Sequence, residues 1–300
     1  MLLRTLAALS VALAAALPGQ AETYDHAQGS INLSGVPQRV LVFDVAALDT
    51  LTALGVAPAG VPSGRLPAYM ADRVADDVPR VGTQFEPDIE ASFAARPDLI
   101  IVGGRSSAKY ADVAKLAPAI DLTVPRDGYL AGARRNVEML GRMFDRQAEA
   151  AALLARYDAE VAALREVAPK AGRVLVMLTS GGRMSAHGPG SRFGVIHDDY
   201  GLTPAATGMD TGTHGQAISP EFIATTNPDW LLVVDRDAAI GREGEGAAAL
   251  LDNELVHKTT AWQKGQILYL DAAAWYVAPA GITALTLGAR QIRDAIAAAN

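Results

Sequence analysis

Short apolar runs recur along this chain, separated by stretches with helical spacing. Arg39 to Phe43, Val56 to Val61, Leu99 to Val102 and Ile120 to Val124 have the length and β-branched content of buried strands. So do Arg173 to Leu178, Trp230 to Val234 and Gln266 to Leu270. Between them, Ala46 to Leu54, Glu86 to Ala95, Lys109 to Ala117, Phe193 to Tyr200, Ile218 to Thr226, Ala247 to Asn253 and Ala280 to Ala299 predict helices. Residues 22–36 predict an edge strand and turn, and the Pro/Gly-rich stretch 62–67 a loop at a cleft edge. Strands of continuous apolar character alternating with helices make this an α/β chain.

From Ala131 to Ala168 the pattern is helical and alanine-rich. Leu153, Leu154, Tyr157, Val161 and Leu164 share one face, and Pro169 with Gly172 ends the run. A helix of that length between two similar halves predicts a rigid connector. A dimerising coiled-coil stripe is the competing reading, but the stripe is short. The chain thus divides into an N-terminal lobe (22–130), a connecting helical region (131–170) and a C-terminal lobe (171–300), after a leader at 1–21.

One pattern is written twice. Ala95-Arg96-Pro97-Asp98-Leu99-Ile100-Ile101-Val102-Gly103-Gly104-Arg105 returns as Thr226-Asn227-Pro228-Asp229-Trp230-Leu231-Leu232-Val233-Val234-Asp235-Arg236. Glu90 and Glu221, Pro97 and Pro228, and Arg105 and Arg236 all repeat at an offset of 131 residues. Each copy is a helix, a Pro-Asp turn and a buried strand with an arginine where it ends. In a parallel α/β lobe, ligands sit at the carboxyl ends of strands, where Arg105 and Arg236 fall. Glu90 and Glu221 fall at the same edge, in the first turn of each preceding helix. They complement a helix dipole or serve an interaction, and both readings stand.

The leader has a basic residue, Arg4, an apolar stretch from Leu6 to Leu17 and a Gly19-Gln20-Ala21 cleavage site. It is too short to span a bilayer. The chain has no cysteine, hence no disulfide and no lipid-anchoring thiol at the cleavage point. A soluble monomer exported to the periplasm is the expectation, with no membrane insertion. Net charge is −7, or −8 once Arg4 leaves with the signal, and no basic tract offsets it. Nucleic acid is therefore excluded as a partner. An anionic small ligand is not, because converging arginines set a local field whatever the net charge.

Gly188-Pro189-Gly190-Ser191-Arg192-Phe193-Gly194 precedes a helix but lacks a P-loop ending and is no nucleophile elbow. What remains is Arg192 on a glycine-rich loop. His214 lies among small residues in Thr211 to Gln216. Trp275 and Tyr276 follow a strand, as core aromatics capping the sheet or as cleft residues. A phenol there offers the hard oxygen donor that Fe(III) favours, with imidazole an acceptable companion. His197 is adjacent to Asp198 and Asp199, but neighbouring helical side chains diverge. It is taken as structural, and no zinc pattern occurs.

These segments together resemble the class III periplasmic siderophore-binding proteins of iron ABC importers, in particular the ferric-catecholate branch. The resemblance covers nearly the whole mature chain. It implies two Rossmann-like lobes joined by a single long backbone helix, with the ligand cleft between them and modest closure on binding. It implies that Arg105, Arg192 and Arg236 surround an anionic ferric complex, that Trp275 lines the cleft, and that His214 and Tyr276 complete the coordination of iron. Glu90 and Glu221 match glutamates that dock on arginines of the membrane permease. The protein would be no enzyme and hold no intrinsic cofactor, since Fe(III) arrives with its siderophore. Haem, ferric citrate, ferric hydroxamate or a corrinoid is the alternative cargo, and an exported metal-dependent hydrolase the remote rival.

Overall fold

The computed structural model describes residues 21–244 and 246–299. The expected export signal lies outside the described residues except for Ala21. An antiparallel hairpin of β1 (Glu22–His26) and β2 (Gly29–Leu33) opens the chain. The first lobe is then built on three parallel strands, β3 (Val40–Val42), β4 (Leu99–Val102) and β5 (Ala119–Asp121), in that spatial order. Helix α1 (Val45–Ala53) follows β3, and Asp44 caps it by accepting from the Ala47 N–H at 2.8 Å. The expected strand at 56–61 persists only as an edge bridge beside β3. Ala59 donates to the Val40 carbonyl at 2.8 Å, and the Gly60 carbonyl accepts from Val42 at 3.0 Å. Pro58 and Pro62 lack the donors that would extend it. Two helices are shorter than expected: α2 (Ile89–Ala94) starts at its Asp88 cap, and α3 (Tyr110–Val113) follows a 3-10 turn.

The connector is two helices rather than one. Helix α4 (Tyr129–Met143) ends at Phe144, Asp145 turns left-handed at φ 53°, and α5 (Gln147–Val167) starts afresh. The two pack closely: a Cβ on Gly141 would lie 2.7 Å from that of Ala150. Helix α5 alone is the long backbone, about 31 Å of helix at the usual rise. Ala150, Leu154, Tyr157, Val161 and Leu164 form its buried stripe.

The second lobe carries β6 (Arg173–Ser180) at its centre, followed by β7 (Arg183–His187). Then come α6 (Val195–Asp198), β8 (Thr203–Pro204), β9 (Gln216–Ile218), α7 (Pro220–Thr226) and β10 (Trp230–Asp235). Short helices α8 (Arg236–Ala239), α9 (Ala247–Leu251), α10 (Glu254–His257) and α11 (Thr260–Gln263) lead to β11 (Ile267–Tyr269) and α12 (Ala272–Tyr276). The chain closes with α13 (Ile282–Ala298). β10 and β11 run parallel to β6 in the expected way. β7 does not: it folds back on β6 as an antiparallel hairpin and pairs in turn with β9. The hairpin turn is Gly181-Gly182, both at positive φ, 55° and 74°, a pairing that two-residue hairpins require. The lobes therefore share a parallel core but not a complete topology.

The written repeat is a structural one. Arg96 and Asn227, 131 residues apart, are both left-handed, at φ 47° and 43°. The Asp98 carboxylate accepts from the Gln38 and Arg39 N–H groups at 2.7 and 2.8 Å, and Asp229 accepts from the Arg173 N–H at 2.8 Å. Each Pro-Asp turn thus pins the start of its lobe's first strand to the start of the repeat strand. The largest apolar cluster unites α1, α4, α5, α13 and one face of both sheets, and two smaller clusters cover the opposite faces.

Helix α13 runs along α5 and starts against the first lobe. There Asp49 of α1 caps it, accepting from the Thr283 and Ala284 N–H groups at 2.9 and 3.0 Å, with Arg73 at 3.5 Å. Gly281 precedes the helix because a Cβ would sit 2.2 Å from the Asp49 oxygen. Burial pushes the Asp49 carboxyl up to about 6, against the pull of the backbone caps and Arg73. The folded value lies above the ordinary value of 3.8. The penalty for charging Asp49 is therefore fully present above about 6 and vanishes below the ordinary value. This group's contribution to stability rises as pH falls through that window, by up to about 3 kcal/mol. Asp49→Asn keeps an acceptor for α13 but removes the titration. In urea unfolding, its stability relative to the wild type should climb as pH rises through the window. A pH-independent difference would refute the assignment.

Candidate ligand-binding site

A cavity of about 1080 Å³ opens between the lobes, lined from both sides. Its organising residue is Tyr276, the last residue of α12. A helix end leaves carbonyls without intrahelical partners and favours positive charge. Here Arg105 donates to the Tyr276 carbonyl at 2.7 Å and to that of Val277 at 3.4 Å, and Arg192 donates to the Tyr276 carbonyl at 3.0 Å. Arg236 approaches from the side-chain end, its Nε donating to the phenolic oxygen at 2.9 Å. The three guanidinium carbons stand 5.0, 4.3 and 5.6 Å from the Tyr276 ring centroid, for Arg105, Arg192 and Arg236 respectively. Cation–π attraction thus adds to the hydrogen bonds.

Each arginine is delivered by a different device. Arg105 follows β4, and Arg236 follows β10 as the first residue of α8, as the repeat requires. Arg192 projects from a compact loop in which Ser191 bonds the Gly188 carbonyl at 2.6 Å and Gly190 donates to Asp198 at 2.7 Å. That loop spends its Gly190 N–H on its own carboxylate, so it is an arginine mount and not a phosphate cradle.

The charges act on one another. Burial, followed by the Arg105 charge, lowers the Arg192 pKa. Burial pushes the Tyr276 phenol up, but the Arg236 hydrogen bond and the charges of Arg192, Arg236 and Arg105 outweigh it, and the net shift is downward. Asp44, deep in the cleft, is pushed up by burial against its α1 cap and the Arg105 charge.

His214 is exposed and lines the same cavity. Its loop is tied across the cleft, for Arg126 of the first lobe donates to the Thr211 carbonyl at 2.5 Å and to Thr213 Oγ1 at 2.7 Å. Behind the loop, Gly215 sits at φ 65° where a Cβ would strike the Ala186 carbonyl and the His187 ring. His187 is buried edge-on to Phe193, and burial with the Arg192 and Arg126 charges pushes it down to about 4. His197 is buried with Nδ1 2.9 Å from the Leu202 carbonyl, in keeping with a structural role.

Arg105, Arg192, Arg236, His214 and Tyr276 are thus brought together. Trp275 is not: it is only 6% exposed and packs against Gly288 and Phe193 under the cleft. Successive helical side chains diverge by about 100°, so α12 turns Tyr276 to the cavity and Trp275 to the core. Glu90 and Glu221 stand outside the cavity, exposed in the first turns of α2 and α7. Phe85, 62% exposed and 5.8 Å from the Arg105 guanidinium, lines the cleft without any periodic signal to announce it. Arg183 and Arg242 line it too. The Gly181-Gly182 turn was the signal that could have placed Arg183. Among the described residues no group of three or more His, Cys, Asp or Glu side chains could hold a metal, and no helix is long and apolar enough to cross a membrane.

The profile of the periplasmic binding protein family matches residues 40–274. The petrobactin-binding protein of Bacillus subtilis is 36% identical over 263 residues, 87% of this chain and 83% of that one. The ferric-anguibactin-binding protein of Vibrio anguillarum is 32% identical over 88% of this chain and 84% of its own. The crystal structure of the Bacillus protein superposes with a TM-score of 0.88 at 34% identity, covering 92% of this chain and 99% of that chain. The periplasmic catecholate-siderophore binding protein of Vibrio cholerae gives 0.84 at 32% identity, covering 93% and 100%.

The Arg236–Tyr276 pair has a direct readout. Arg236→Leu removes the hydrogen bond and one of the three charges, so the Tyr276 phenol should titrate at higher pH than in the wild type. Tyrosinate absorbance, taken as the difference from Tyr276→Phe, measures this; an unmoved titration would show that the arginines do not govern the phenol.

Proposed function

The chain belongs to the periplasmic binding protein family, whose members bind and do not catalyse, and from that premise we propose that it captures an anionic ferric siderophore of the catecholate class. The observation that carries the reading is the ring of three guanidiniums around a phenol whose pKa they lower. Such a ring is repulsive until an anion enters it. A ferric catecholate supplies net negative charge, and its aromatic rings present faces on which guanidiniums stack. Catecholate or related siderophore names among the similar proteins support the same class.

A tetradentate bis-catecholate leaves two of iron's six positions open. Tyr276, whose lowered pKa favours phenolate, and His214, an exposed imidazole on the facing loop, are the donors proposed to fill them. The protein's contribution is then to balance charge, exclude water and supply two ligands. Iron is cargo, and no bond of the siderophore is made or broken. The chain works as a monomer after export directed by residues 1–21. Glu90 and Glu221, exposed at equivalent places on the two lobes, present carboxylates to an inner-membrane ABC permease.

Titration of the mature protein with ferric bis-catecholate, ferric hydroxamate, ferric citrate and haem, read by tryptophan fluorescence, tests the cargo. Tight quenching by the catecholate is expected. Arg192→Ala should weaken it by about 10- to 100-fold, the usual range for losing a hydrogen bond to a charged group. Tyr276→Phe should shift the visible band of the bound complex. Binding of haem or citrate alone would discard the catecholate. Glu90→Ala with Glu221→Ala should leave ligand affinity unchanged but cut permease-dependent uptake into reconstituted vesicles; undiminished uptake would remove the docking role.

A further inference from the structure

Five guanidiniums line the cleft, those of Arg105, Arg183, Arg192, Arg236 and Arg242, against one carboxylate, Asp44. Three of the five are spoken for by Tyr276. Arg183 and Arg242 are different: both are exposed, and neither side chain has a hydrogen-bond or ion-pair partner among the described residues.

Their placement is nonetheless built. Arg183 opens β7 immediately after the hairpin turn, paired with Ser180 across it. The tip of that hairpin is fixed by Asp237, whose carboxylate accepts from the Gly181 N–H at 2.6 Å. The Asp237 carbonyl accepts from the Arg242 N–H at 2.8 Å, fixing the second segment from the same residue. Asp237 is itself buried and lies beside Arg236 at 3.5 Å. One residue thus ties both rim segments to the helix that presents an inner arginine. On the far side, Gly241 abuts Arg65 of the first lobe's 62–67 loop, so the rim lies where the lobes meet.

We infer that Arg183 and Arg242 form a second anionic subsite at the cleft rim, which takes a carboxylate carried by the cargo outside its iron-binding set. The inference rests on the siderophore reading and deepens it. Iron-bound catecholate oxygens belong to the Tyr276 ring of arginines, and they leave the rim pair without a counter-charge. A planar fork matches a carboxylate in two parallel hydrogen bonds, which a point-charge cation cannot do. Ordinary solvated surface arginines would show no such preference.

The test uses the mature protein and ferric complexes of two synthetic bis-catecholamides that differ only in the linker, one bearing a free carboxylate and the other its neutral methylamide. The wild type should prefer the carboxylate complex by about tenfold, the order expected of one charge-assisted pair. The double variant Arg183→Gln, Arg242→Gln should erase that preference and leave affinity for the methylamide complex within about twofold. Both side chains are exposed, so the fold should tolerate the change, which thermal unfolding checks. Equal binding of the two complexes by the wild type would overturn the subsite and leave the siderophore reading intact. So would equal weakening of both by the variant, which would mark a general field. Failure of the wild type to bind either complex would remove the siderophore reading, and the subsite with it.

Discussion

The structure turns on a cluster of like charges gathered at the end of a five-residue helix. Arg105, Arg192 and Arg236 converge on the carbonyl, ring and hydroxyl of Tyr276. Bringing three cations together in a half-buried cleft is unfavourable unless something negative meets each of them. The C-terminal carbonyl of α12, the phenol and, beside Arg236, the Asp237 carboxylate do so in part. Five arginines against one carboxylate, Asp44, among the residues that line the cavity leave it with a positive local field.

That cluster exists only if two lobes are held in register, because Arg105 comes from one and its Tyr276 and Val277 carbonyl acceptors from the other. Polar ties cross the cleft at several points. Tyr129 of the first lobe donates to the Pro279 carbonyl at 2.6 Å, Arg126 holds the His214 loop, and Asp49 caps α13. Beneath them, α4, α5 and α13 share one apolar cluster with both sheets. A core common to both lobes limits how far they can separate.

Legibility followed periodicity and repetition. The parallel strands, the terminal helix and the paired arginines all lay in runs that a period or a second copy made visible, and the left-handed pair Arg96 and Asn227 shows the copy to be structural. Errors fell where a single residue overrode a run. Asp145 broke the connector into two helices, and Pro58 and Pro62 cut the strand at 56–61 to a bridge, while the strand β7 after the Gly-Gly turn went unread. In the site, Trp275 and Tyr276 look equivalent as neighbours, yet the helical turn of about 100° sends one to the core and the other to the cavity.

By itself, then, the sequence determined the class of the fold, the two-lobed plan and most of the inner site, because buried strands and a duplicated motif leave a local signature in residue type and spacing. Only the tertiary structure decided which aromatic faces the cleft, that Phe85, Arg183 and Arg242 line it, and that Arg126 ties down the histidine loop. Those facts depend on contacts between segments tens to hundreds of residues apart. No local period records such contacts, and their energy appears only once the lobes are packed.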